Sequence, residues 1–305
     1  MMMNHQPPTG FPVPDEFAER TREMVARSDL EHVLASHSGN SIFEQALGRI
    51  TNGEQLLRTL SDYIYFNSIF GSGVANLAGE IGARQNLFRD ADEPAALIAD
   101  RSVEVAAPFF FAAIDEFGGA GHRSTHRTLA QATLKGAGCF LGYEGANLNR
   151  LAEPNLRTLT AMDKVRAGYA INQQVGEQEL FRAIGFHIGS EVLADEEFNL
   201  LDGFLRAEYA DLVEHLMRVR VSINGVEVSS YHWIQIHTTV EADHFDAALK
   251  GANLALRYYV GAESPVRIKQ WILDGFTEFA ATQTAFMNGL MEQEPAGNLN
   301  LGGTQ

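Results

Sequence analysis

Apolar residues recur at helical spacing along nearly the whole chain, and the strict alternation of a half-buried strand is almost absent. That periodicity restricts the fold to packed helices. It predicts a polar helix from Asp15 to about His37, broken at Ser38-Gly39-Asn40. A second and a third helix fall between about Ser41 and Asn86, punctuated by Asn52-Gly53 and Gly71-Ser72-Gly73. Pro94 suits the first turn of the next helix, which runs through VEVAAPFFFAAIDEF and stops at Gly118-Gly119. Ser124 or Thr125 caps a further helix carrying His126 and Leu129.

Cys139 to Thr158, rich in Gly, Asn and Pro, reads as a long connection, and two or three helices follow from about Thr160 to Met217. One β signal stands out: in RVRVSINGVEVSS the Asn224-Gly225 pair is a hairpin turn between valines. Helix resumes from Tyr231 to about Tyr259, and Pro265 opens the last one. With no internal repeat, the expectation is an all-α single domain over residues 15–295. Residues 1–14 read as a disordered lead-in and 296–305 as a disordered tail.

With 305 residues, 45% of them hydrophobic and 20% charged, the chain can bury a sizeable core. A formal charge of −16 argues against nucleic acid and against an anionic membrane surface, since both ask for basic residues. No run of about eighteen apolar residues occurs, and MMMNHQPPTGFPVP lacks the apolar core of a signal peptide, so a cytoplasmic protein is expected. A single cysteine, Cys139, excludes an intramolecular disulfide and a cysteine-held metal cluster.

Three segments carry ligand-type residues. In YHWIQIHTTVEADHFDAAL, His237, Glu241 and His244 are four and three residues apart and fall on one helix face. That spacing suits one or two metal ions, although each histidine taken singly also reads as a satisfied polar residue. In the second segment, Glu116 and His126 would lie about 15 Å apart on one continuous helix. The glycines between them allow a turn that brings both together; a glycine-rich helix end with a surface acid is the plainer reading, and His122 is the rival histidine.

The third segment, ELFRAIGFHIGSEVLADEEFNLL, places Glu191 on the apolar face of Leu180, Ile184 and Ile188, with His187 beside it. A carboxylate in apolar surroundings needs a partner or a cation. Gly185 and Gly189 leave room for a neighbouring helix, and Asp195, Glu196 and Glu197 read as a solvated charge run.

These segments resemble the haem-oxygenase-like diiron oxidases and oxygenases, a family of about seven core helices with two irons in the bundle. The resemblance covers roughly Asn67 to Tyr259. The family has a Glu, a glycine-containing turn and a His ten residues on, as Glu116 and His126 are here. A later helix supplies a Glu, matched by Glu191, and the site closes with His-x-x-x-Asp-x-x-His, matched by HTTVEADH. The resemblance thus implies Glu116, His126, Glu191, His237, Glu241 and His244 as ligands; His187, one turn before Glu191, reads either as a partner behind them or as a core histidine. Glu241 stands where the family has Asp. The interval from Glu191 to His237 is also long, which leaves Glu208, beside Tyr209 and Leu212, as a rival carboxylate.

The resemblance implies two Fe(II)/Fe(III) ions and dioxygen as co-substrate. Family members desaturate, decarboxylate or fragment fatty and amino acids, or hydroxylate amine nitrogens. The leading expectation is oxidation of a free aliphatic amino acid, by desaturation with or without C–N ring closure, in natural-product biosynthesis. N-oxygenation comes next, then fatty-acid decarboxylation. A metal-free relative, either a thiamine-degrading hydrolase or a helical binding module, is the reading from another class. The hydrolase needs a nucleophile, and Cys139 sits in a loop-like stretch without an obvious His or Glu partner. Arg123, Arg182, Lys250 and Arg257 are the undiscriminated candidates to anchor a substrate carboxylate. An external electron donor and a second copy of the chain are the partners this reading leaves room for.

Overall fold

The computed structural model describes residues 23–90, 100–119, 124–223 and 225–292, with all side chains there except those of residues 239–241. The predicted lead-in and tail, Pro94, His122, Arg123, Asn224 and the side chain of Glu241 therefore lie outside the described residues, as does the first part of the helix expected from Asp15. The fold is all-α, with one two-stranded sheet among the described residues.

In chain order the helices are α1 (Arg27–Ser36), α2 (Gly39–Leu47), α3 (Gly53–Asn67), α4 (Phe70–Gly82), α5 (Ser102–Glu116), α6 (His126–Phe140), α7 (Gly145–Leu151), α8 (Leu156–Gly168), α9 (Glu177–Glu208), α10 (Ala210–Arg218), α11 (His232–Tyr258) and α12 (Pro265–Met291). Between α10 and α11 lies an antiparallel hairpin, β1 (Arg220–Ile223) with β2 (Val226–Ser229), and Gly225 takes the positive φ its turn requires.

Local chemistry sets the boundaries. The side chains of Asn52, Thr125, Asn155 and Ser264 each accept from a backbone N–H in the first turn of α3, α6, α8 and α12. Pro265 stands at the start of α12, where its missing N–H costs nothing.

Two readings of the sequence change. Gly71 and Gly73 do not separate helices; they lie in the first turn of α4. A methyl group on Gly71 would touch Glu116, and one on Gly73 would overlap the Tyr169 ring at 2.4 Å. The supposed connection from Cys139 to Thr158 contains the end of α6, all of α7 and the start of α8. Gly138, just before it, is a packing glycine that makes room for Leu148.

The scaffold is built around α9, about 48 Å long at 1.5 Å per residue, which packs against α12 and α11. Leu180, Ile184, Ile188, Leu201 and Leu205 line its buried face. The close fit to α12 depends on Gly185, whose absent side chain admits the Ile272 carbonyl. Helix α5 lies against α4 and α11, so the end of α5, the start of α6 and the middles of α9 and α11 meet in the core.

Candidate metal centre

Helix α5 ends in a Schellman arrangement: Gly119 N–H donates to the Ile114 carbonyl and Gly118 N–H to that of Asp115, each at 2.8 Å. Gly118 has φ +85°, and a methyl group there would lie 2.8 Å from the Ser124 carbonyl oxygen. This glycine turn delivers Glu116, the last residue of α5, to His126, the first of α6. Glu116 Oε1 lies 3.0 Å from His126 Nδ1. His237 of α11 comes to the same place, its ring 4.6 Å from that of His126. One ligand atom each from Glu116, His126 and His237 all lie within 4.8 Å of one another.

A second group adjoins the first. Glu191 Oε1 is 3.1 Å from His187 Nδ1, and its Oε2 is 3.5 Å from Nδ1 of His244. His244 Nε2 in turn faces Asp115 Oδ2 at 3.4 Å, and the same oxygen is 3.6 Å from His126 Nε2. Carboxylates and imidazoles thus alternate from His187 through Glu191, His244, Asp115 and His126 to Glu116. Four helices supply them, and residues more than a hundred positions apart in sequence meet here.

The surroundings tune each ring. His237 Nδ1 lies 2.6 Å from the Trp233 carbonyl, which fixes the proton on Nδ1 and turns the lone pair of Nε2 outward as a donor. Phe198 stacks on the ring at 4.1 Å. Burial, followed by the neighbouring His126, holds the His237 imidazole well below the usual histidine range. Burial also lowers His187, outweighing the Glu191 charge. For His126 burial acts downward too, but Glu116, by charge and hydrogen bond, and then Asp115 outweigh it and raise the imidazole.

A cavity of about 290 Å³ borders this cluster. Glu116, His126, Glu191 and His237 line it, together with Phe66, Phe70, Phe198 and Phe279, and Arg127 and Glu197 also reach its wall. Glu197 corrects the reading of a solvated charge run. It is 2% exposed, its Oε2 accepting from Tyr63 Oη at 2.9 Å and its Oε1 from Gln283 Nε2 at 2.7 Å. Burial pushes its carboxyl up to about 7 despite those bonds.

The remaining candidates lie elsewhere. Glu208 is exposed at the far end of α9, so the structure does not bring it to the cluster. Arg182 is engaged by Glu278 at 2.7 Å and Asp274 at 3.7 Å, and neither it, Lys250 nor Arg257 lines the cavity. Cys139 is an exposed residue of α6, not of a loop. Against expectation it has an acidic neighbour, Glu144, whose hydrogen bond raises the thiol further above its ordinary range. An activated nucleophile needs the opposite shift.

Sequence reasoning passed over Asp115, Glu197 and Arg127. No protein-family model matches the chain, and no curated protein matches it. The chemical reading of the site therefore rests on its own residues. Four imidazoles and three carboxylates in one largely buried patch form a donor set suited to first-row divalent metals, iron among them.

Proposed function

We propose that the protein is a non-haem diiron oxidase of the haem-oxygenase-like kind, using dioxygen to oxidise a small aliphatic carboxylic substrate in natural-product biosynthesis. The observation that carries this reading is the convergence of Glu116, His126 and His237 beside a second group of Glu191 and His244. One carboxylate with two imidazoles is already a set used for non-haem iron, and the adjoining pair supports a second ion. Glu241, a turn beyond His237 on the same helix, completes the ligand set implied by the resemblance. When bound, the iron pair would supply the electrons that reduce dioxygen.

The chain's own residues supply the rest. Phe66, Phe70, Phe198 and Phe279 make an apolar wall that holds an alkyl chain and excludes water. Arg127, in the first turn of α6 beside the cavity, where its guanidinium also donates to the Ser68 carbonyl, suits a substrate carboxylate. Glu197, buried in the same wall, suits a substrate ammonium, to which it would pass from neutral acid to carboxylate. Together they favour a free amino acid over a plain fatty acid, and desaturation with or without ring closure is the leading reaction. N-oxygenation uses the same anchors and is the runner-up. Desaturation takes two electrons from the substrate while full reduction of dioxygen to water takes four, so an external donor would supply the other two. Among the described residues no helix is long and apolar enough to cross a membrane. A reducing cytoplasm suits the exposed thiol of Cys139.

Anaerobic loading with ferrous ion, metal analysis, and then exposure to oxygen with a panel of free amino and fatty acids tests this. About two irons per chain, with oxygen consumed in the presence of an amino acid, is the expected result. Saturation at one iron would assign the Glu116, His126 and His237 group as a mononuclear centre. Folded protein that takes up none overturns the reading.

A further inference from the structure

We infer that Asp115 is a metal ligand, its Oδ2 shared between the His126 and the His244 halves of the cluster. This assignment rests on the diiron reading and adds a carboxylate that the resemblance does not supply.

The geometry is specific to one atom. Asp115 Oδ2 lies 3.6 Å from Nε2 of His126 and 3.4 Å from Nε2 of His244. Both separations exceed the roughly 2.7–3.2 Å of an ordinary hydrogen bond. Two donors in adjacent positions around an ion at about 2.1 Å stand about 3 Å apart, so these gaps are close to what a shared ion would set. A carboxylate oxygen set between imidazole nitrogens of two different helices would be placed to bind an ion held by either.

Position and burial agree. Asp115 is 4% exposed and both of its oxygens are buried, a place where a carboxylate is costly unless it is paired, hydrogen-bonded or bound to a cation. On α5 it follows Val105, Phe109 and Ala112 on the inward face, so the helix itself aims it at α11. Its neighbour Glu116 is turned about 100° around the helix axis and meets His126 at the other ring nitrogen, Nδ1. The two consecutive acids therefore face the two nitrogens of one imidazole: with an ion at Nε2 beside Asp115, Nδ1 would carry the proton and donate it to Glu116 Oε1. The short Asp side chain suits the inner place, because α11 is packed directly against α5.

Anaerobic ferrous titration of the wild type, D115N and D115A tests the assignment, with bound iron measured by elemental analysis and the iron-dependent rise in Tm followed in parallel. Folding is checked by helical circular dichroism, and D115N keeps the side chain's shape should D115A fail to fold. The variants are expected to lose at least one ion per chain, or to need about tenfold or more iron for the same occupancy. A purely structural role would lower the Tm of the metal-free protein and leave the stoichiometry where it was. A folded D115N or D115A that binds as many ions as the wild type, with the same affinity, overturns Asp115 as a ligand and leaves the diiron reading standing. A wild type that binds none overturns both.

Discussion

Tyr63 Oη donates to Glu197 Oε2 at 2.9 Å, joining α3 to α9 across 134 residues of sequence. Gln283 holds the other oxygen, and its amide also donates to Asn40 Oδ1 at 2.6 Å, so three helices meet on this one carboxyl group. Burial, partly offset by these bonds, raises Glu197 to about 7 from 4.5. In the window between those two values the folded chain keeps a proton that the unfolded chain has released. Stability therefore falls as pH rises through this window and levels off above it, by on the order of 3 kcal/mol for a shift of this size.

The variant E197Q carries no such proton. Its amide oxygen can face Gln283 and its NH2 can face Tyr63, whose hydroxyl then accepts. In metal-free protein, the stability of E197Q relative to wild type is expected to grow by most of that amount between pH 5 and pH 8. Urea denaturation at the two pH values measures it. A difference that does not change with pH would mean that Glu197 is ionised in the folded protein throughout.

A second prediction concerns the contact that positions the ligand-bearing stretch of α9. A methyl group on Gly185 would lie 1.7 Å from the Ile272 carbonyl oxygen, and one on Gly275 would lie 1.9 Å from that of Arg182. The clash is reciprocal and against backbone, so no rotamer relieves it. G185A is expected to destabilise the protein by about 3 kcal/mol or more, at the upper end of overpacking penalties, with a matching fall in Tm. Gly203 lies on the same helix with nothing within 4 Å of an added methyl. G203A should be neutral or stabilising by up to about 1 kcal/mol. Equal effects of the two substitutions would show that α9 and α12 are not in backbone contact.

These glycines show what was legible. Gly185 and Gly189, four apart among apolar residues, announce a close helix approach, and the structure seats Ile272 and Phe279 against them. Gly71 and Gly73 read as breaks because glycine serves tight turns and tight packing alike, and only the facing side chain distinguishes the two. The spacing of His237 and His244 placed both on one face, and the glycine turn between Glu116 and His126 was legible as a device for convergence. Glu197 was hidden by its neighbours: inside Asp-Glu-Glu it reads as solvated charge. The overlooked signal was its register, since Leu193, Glu197, Leu201 and Leu205 recur every four residues. Asp115 was masked in the same way by the more conspicuous Glu116.

The last prediction separates Glu191 from Glu208, the two carboxylates the sequence offered on this helix. Glu191 has a side chain only 12% exposed, set between Nδ1 of His187 and Nδ1 of His244 at 3.1 and 3.5 Å. Glu208 closes α9 seventeen residues later, about 25 Å further along the axis, and is exposed. No ion held by His244 can reach it. E191A should therefore lose at least one iron per chain and all oxygen-dependent turnover, while its metal-free Tm stays near that of the wild type, because a largely buried acid is removed. E208A should keep full iron content and gain a few tenths of a kcal/mol, since an acid at a helix C-terminus opposes the helix dipole. Iron analysis and thermal denaturation of both variants decide the matter. If E208A is the one that empties the site, the assignment of α9 to the metal centre is wrong.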